Sequence, residues 1–327
     1  MGRIKRDTDY AYAVARVRAN ELTLLSEADL EQIIIADSYR DAMKKLSDLG
    51  WGDWDGTVDY PEYIEAYSDK TWRFLKDTLD DIHELDLLIL PNDMQNLKAT
   101  LKNIILQHRT EGLYTPTTVY DTREIAQLVT EKRFEELPEF MIEPVKEAYA
   151  ILVSGAGGQK ADAVIDRATL ERIRELSEES GSPLLMKMSE RRIACADIKV
   201  ACRCAKTGKS MDFIKESLVP CSTLSLDELA AAACDSPEAV LAYIDKTDYA
   251  EGAEKMREST SAFEKWTDDT MLDCVSEARY TAFGIAPVVA YYLAREAEIK
   301  SARIILSAKK NNLPESVIRE RVRALYV

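Results

Sequence analysis

The chain is short of the residues that interrupt helices. Among 327 residues, 12 are glycine and 10 are proline, so a fold rich in turns and loops is disfavoured. Histidine occurs only at His83 and His108. With no serine-nucleophile elbow either, hydrolytic catalysis has no visible apparatus. No run of about 18 apolar residues occurs, which excludes a helical membrane span. The start, Met1-Gly-Arg-Ile-Lys-Arg6, is basic, but no apolar stretch follows it, so no secretory leader is expected. No segment alternates apolar and polar residues for the length of a strand. Positive charge is also in deficit: the net charge is −15, which argues against nucleic acid as the main partner.

What remains favours a folded helical protein. Apolar residues make up 46% of the chain and charged residues 31%, enough for a core and a solvated surface. Alanine, leucine and glutamate are abundant, and all three favour helix. The six cysteines (Cys195, Cys202, Cys204, Cys221, Cys234 and Cys274) all follow residue 194, mostly within helical pattern. They read as reduced, cytosolic, small apolar residues. Charge is uneven near the end. Met211–Ala290 carries 6 basic and 16 acidic residues, Tyr291–Val327 carries 8 basic and 4 acidic.

One short pattern organises the chain. Asn96-Leu97-Lys98, Asp197-Ile198-Lys199 and Glu298-Ile299-Lys300 share the form acid or amide, aliphatic, lysine, and their lysines are spaced by 101 residues both times. A small residue, Thr100, Ala201 or Ala302, follows two places after each lysine. Two further markers recur in the same order. Helix-capping patterns begin at Ser26, Asp121 and Ser225, each with an acid three residues on. Acids in long helical stretches stand at Asp69, Asp166 and Asp268. A fixed period of this kind signals one unit built several times. The expected fold is all-α, with three tandem helical units of about 100 residues at 1–110, 111–214 and 215–327. The helix after Asp9-Tyr10 looks like a fourth, weaker copy of the triplet helix. Packed beside the C-terminal helix, it would close the three units into a ring.

Other candidate motifs have plainer readings. Thr207-Gly208-Lys209-Ser210 resembles the end of a phosphate loop, but the required earlier glycine is Arg203 and no strand precedes it; a turn at a helix end is expected. Gly155-Ala156-Gly157-Gly158 lacks the spacing of a dinucleotide site and reads as a loop. Cys195 and Cys202 are seven apart, on one helix face, with no paired C-x-x-C and no histidine near in sequence, so packing is expected and not a metal. No catalytic, cofactor-binding or metal residues are assigned. Lys98, Lys199 and Lys300 have two open readings. They are solvated or paired along their own helix, as Lys300 with Glu296; or they cross to the acids Asp69, Asp166 and Asp268 and set the register of each unit.

The stretches Tyr10-Ala-Tyr-Ala-Val-Ala-Arg-Val-Arg18, Leu24-Leu-Ser26, Pro287 through Leu306, and Leu313-Pro-Glu-Ser-Val-Ile-Arg-Glu-Arg321 resemble the C subunit of the A/V-type rotary ATPases of archaea and bacteria, the counterpart of the d subunit in the eukaryotic vacuolar enzyme. The resemblance spans nearly the whole chain and is weakest around 140–190. Gly50-Trp51-Gly52 and the loop from Ser154 to Lys160 depart from the family pattern. What the resemblance implies is a non-catalytic rotor component, shaped as a funnel of three similar domains with a central cavity. Its partners would be the D and F central-shaft subunits and the membrane proteolipid ring. It would sit on the cytoplasmic side of the membrane without inserting, and transmit torque for proton or sodium transport. A helical-repeat scaffold for protein binding is the competing class, although familiar repeats of that kind are about 34–47 residues long.

Overall fold

Serine and aspartate at helix starts account for much of the local architecture of the computed structural model, which describes residues 6–106, 114–155 and 157–326. Met1–Lys5 of the basic start, His108 and Ala156 of the glycine-rich loop lie outside the described residues. In chain order the helices are α1 (Ala11–Glu21), α2 (Glu27–Ile34), α3 (Tyr39–Leu46), α4 (Tyr60–Lys76), α5 (Asp86–Leu106), α6 (Thr122–Thr130), α7 (Glu139–Val153) and α8 (Gly158–Glu179). They continue with α9 (Pro183–Thr207), α10 (Met211–Ser217), α11 (Leu226–Asp235), α12 (Pro237–Ile244), α13 (Ala250–Glu258), α14 (Thr260–Cys274), α15 (Ala286–Lys310) and α16 (Glu315–Arg321). No strand occurs among the described residues, so the fold is all-α, as expected.

All three expected caps are formed. Ser26 accepts from the Asp29 amide and the Asp29 carboxylate accepts from the Ser26 amide, a reciprocal box. Asp121 accepts from the Arg123 and Glu124 amides. Ser225 accepts from the Glu228 amide. Thr207–Ser210 is the expected helix-end turn: Gly208 is left-handed at φ 59°, the Lys209 amide returns to the Cys204 carbonyl, and Ser210 caps α10. Pro91 differs from expectation. It does not precede the first triplet helix but lies inside it, because α5 already begins at Asp86. Its missing N–H removes one internal hydrogen bond and its ring presses on the carbonyl one turn back, so proline at this depth in a helix favours a bend.

The described residues divide into two compact units, one from Met1–Ile82 with Glu251–Val327 and one from His83–Ala250. In the first, both ends of the chain share one core. Ile33, Met43, Leu46, Ile64 and Tyr67 from the N-terminal helices pack with Ile299, Ile305 and Leu306 of α15 and Ile318 of α16. Helix α1 lies against α15, and Arg18 reinforces it by donating to the Ala278 and Thr281 carbonyls just ahead of α15. In the second unit, α5 packs on α6, α7 and α8, and α9 packs on α8, α10, α11 and α12.

Helix α13 shows how tightly the first unit is filled. Gly252 is buried, and a Cβ built on it would stand 2.6 Å from Cζ3 of the buried Trp266 ring. Gly252→Ala is therefore expected to cost about 1–3 kcal/mol through overpacking, read as a lower urea midpoint with an unchanged slope.

Candidate functional site

The first residue of each triplet, not the lysine, performs the same task three times. Asn96, Asp197 and Glu298 are 2%, 3% and 2% exposed. Each accepts a hydrogen bond from a backbone amide in a segment that leads to a capped helix. Asn96 Oδ1 accepts from the Thr115 amide at 2.8 Å, six residues before the Asp121 cap. Asp197 accepts from the Val219 amide at 3.1 Å, six residues before the Ser225 cap. Glu298 accepts from the Leu25 amide at 2.5 Å, next to the Ser26 cap. The first two partners lie downstream in the chain. The third lies at the opposite end of the sequence, so the last triplet holds the first cap. A buried amide left without an acceptor costs about 1–3 kcal/mol, and these three side chains each prevent one such loss. One turn before Asn96, Asp93 adds a second hold on α5. Its carboxylate accepts from the Val119 and Tyr120 amides, both at 2.9 Å. Burial lifts Asp93 to about 6, although those amides pull it down.

The third fastening carries an extra charge pair. Arg295, one turn before Glu298, is buried with it, at 2.8 Å between Nη1 and Oε2. The guanidinium also donates to the Tyr67 hydroxyl at 2.6 Å, the Tyr291 hydroxyl at 3.1 Å and the Thr23 carbonyl at 3.1 Å, and to Thr23 Oγ1. Burial opposes the arginine charge, but Glu298, Tyr67 and Tyr291 hold its pKa above the ordinary guanidinium value. One side-chain pair thus joins α15, α4 and the segment after α1.

Two of the lysine markers, Lys98 and Lys300, reach acids on another helix, and for Lys98 the acid is not the one of its own marker set. Lys300 meets Asp268 at 2.8 Å. Arg323 also meets Asp268, at 2.7 Å, so this acid ties α14 to α15 and to the C-terminal segment. Burial would raise the Asp268 pKa, but Lys300 and Arg323 together keep it below the usual carboxylate value. Lys98 meets Asp166 at 2.5 Å, the acid of the next marker set and not Asp69 of its own. The reason is packing: α5 runs along α8, where a second rung, Lys102 with Asp162 at 2.8 Å, lies one turn further. Asp69 lies in α4, where its carbonyl accepts from Arg73. Lys199 stands exposed on α9. The Lys98, Lys102 and Lys300 pairs are part exposed and contribute about 0–1 kcal/mol each, well below the buried fastenings.

A family model described as ATP synthase (C/AC39) subunit matches residues 13–321. The chain belongs to the ATP synthase (C/AC39) subunit family. Among curated relatives, this C/AC39 chain is 22% identical over 317 residues to the C subunit of the V-type sodium ATPase of Enterococcus hirae, covering 95% of this chain and 97% of that one. It is 26% identical over 343 residues to the C subunit of the A-type ATP synthase of Desulfurococcus sp. strain SY, covering 96% and 90%. To the C subunit of the A-type ATP synthase of Thermococcus kodakarensis it is 25% identical over 352 residues, again covering 96% and 90%. The C/AC39 protein is a structural member of a V/A-type ATPase and not its catalyst.

The remaining candidate residues of this C/AC39 protein are packing residues. Cys195 and Cys202 are buried on α9 together with Cys204, and burial pushes the Cys202 thiol up to about 11, out of the reactive range. Among the described residues no group of three or more His, Cys, Asp or Glu could hold a metal ion. No helix among them is long and apolar enough to cross a membrane. Sequence reasoning missed Arg295 and the role of the first triplet position. The available signal was the recurrence of an acid or amide at the same step, before an aliphatic residue and a lysine.

Proposed function

We propose that this chain is the central-stalk rotor component of a V/A-type ATPase, joining the D and F shaft subunits to the membrane proteolipid ring. In this reading it does no chemistry and transmits torque for ATP-coupled proton or sodium transport. It works as a peripheral component on the cytoplasmic side of the membrane. The observation that carries the reading is the family match across residues 13–321. The three triplet fastenings add support. They bind long helices to the segments between them at buried points, which suits a part that must pass on force without deforming. The division into helical domains 1–110, 111–214 and 215–327, arranged as a funnel around the shaft, belongs to the same proposal.

Two large side chains mark a surface for a partner. Tyr280 is 90% exposed and Phe283 52%. Both lie on the segment that Arg18 grips through the Ala278 and Thr281 carbonyls, and that the Asp7 carbonyl holds through the Gly284 amide. Aromatic rings presented on a fixed backbone lose little freedom on binding. Affinity purification of the tagged chain from membranes is expected to bring down the D and F subunits and the proteolipid ring. A Tyr280→Ser/Phe283→Ser double variant, with an unchanged melting temperature, is expected to recover at least tenfold less of one of these partners. Recovery of the wild-type chain alone, without shaft or ring proteins, would overturn the assignment.

A further inference from the structure

We propose that the attachment of the Val219–Thr223 segment to α9 is a proton-sensitive latch whose sensor is Asp197. The three equivalent positions meet the same requirement with different electrostatics. Asn96 is neutral. At Glu298 burial raises the carboxyl pKa, and Arg295 lies against it and pulls it back down. Asp197 is as buried as either, at 3% exposed, yet its hydrogen-bond partner is a single backbone N–H, that of Val219. The charged group acting on it is Glu190, two turns earlier on α9 and itself an anion.

Glu190 holds the same segment further along. Its Oε1 accepts from the Ser222 hydroxyl at 2.9 Å, the Thr223 amide at 2.7 Å and the Thr223 hydroxyl at 2.8 Å. Two carboxylates therefore grip one strap, and the strap delivers the chain to the Ser225 cap of α11. Other elements packed on α9 bring polar groups of their own, one of them to the strap. Arg174 of α8 donates to the Pro220 carbonyl. Lys215 of α10 pairs with Asp227 of α11. The Tyr243 hydroxyl of α12 accepts from the Ser225 amide. Within the strap, burial raises the Cys221 thiol and keeps it neutral.

The consequence is a linkage. With the strap docked, Asp197 is buried and burial raises its pKa to about 7; with the strap released and the carboxyl in water, the value returns to the ordinary range near 3.9. The docked form thus binds more protons between about pH 4 and 7. Its advantage is complete below that range and is lost as pH rises through 7. From pH 6 to pH 8 the docking equilibrium is expected to fall by about tenfold.

Residue-resolved hydrogen exchange on the full chain tests this, with rates divided by the intrinsic chemical rate at each pH. Protection of the Val219 and Thr223 amides is expected to fall about tenfold between pH 6 and pH 8, while Ile198, within the helix, stays unchanged. Asp197→Asn places in the second copy the residue type that the first copy carries at Asn96, and should abolish the pH response. A flat wild-type profile, an equal fall at Ile198, or an unchanged response in Asp197→Asn would each overturn the proposal. Should Asp197→Asn fail to fold, a carbon-13 titration of the Asp197 carboxyl in the wild-type chain decides. A midpoint near 7 supports the latch and one below about 5 removes it.

Discussion

Replacing Glu298 by alanine is expected to lower the stability of the chain by about 3–5 kcal/mol, the cost of breaking a buried ion pair by removing one partner. The substitution would leave Arg295 charged and buried without its carboxylate, and the Leu25 amide without its acceptor. Both losses fall at the point where the two ends of the chain meet, so neither is relieved by water. Urea unfolding should show the change as a lower midpoint. Replacing the pair together, Arg295→Met with Glu298→Leu, is expected to recover most of the loss, because no unbalanced charge then remains. A single-variant loss below about 1 kcal/mol would mean that the pair does not hold the N-terminal segment.

Trp51→Ala should have a comparable effect, about 3–5 kcal/mol. The Trp51 ring is buried and stacks on Tyr67 at 4.0 Å between centroids, with the planes 3° apart. Tyr67 in turn accepts from Arg295, so the stack supports the same network from behind. Trp51 stands between Gly50 at φ 86° and Gly52 at φ 133°, a backbone course that turns the ring inward after α3. Its indole N–H has no hydrogen-bond partner among the described residues. Trp51→Phe should therefore cost much less than Trp51→Ala, since it keeps an aromatic face against Tyr67 and removes an unpaired donor. Equal losses for the two variants in urea unfolding would contradict this account.

Local features were legible in the sequence because they depend on near neighbours. Ser26, Asp121 and Ser225 cap helices three residues ahead of them, and a reader needs no distant information to see it. The all-α fold followed from composition and from the absence of alternation. Pro91 was harder. A proline suits a helix start, but how far upstream the helix begins is settled by the burial of Leu87, Leu88 and Leu90. The pairing of Lys98 could not be read from its period either. A repeat gives the spacing of markers, whereas the helix that packs alongside decides which acid is reached, and α8 lies beside α5. The fastenings were least visible. Asn96, Asp197 and Glu298 are three residue types, and what they share is a backbone amide as partner. Backbone amides leave no trace in residue identity, and the partner of Glu298 is 273 residues away.

That last separation also sets a timetable for synthesis. Ile33, Met43 and Ile64 leave the ribosome long before Ile299, Ile305 and Leu306, with which they share a core. At about 5–20 residues per second the interval is roughly 10–50 s. Throughout it the N-terminal helices have no complete partner, while His83–Ala250 can already fold on emerging. The nascent N-terminal segment is thus a natural client for a holding chaperone, and a message truncated before α15 would yield a chain with one finished unit and one permanently sticky end.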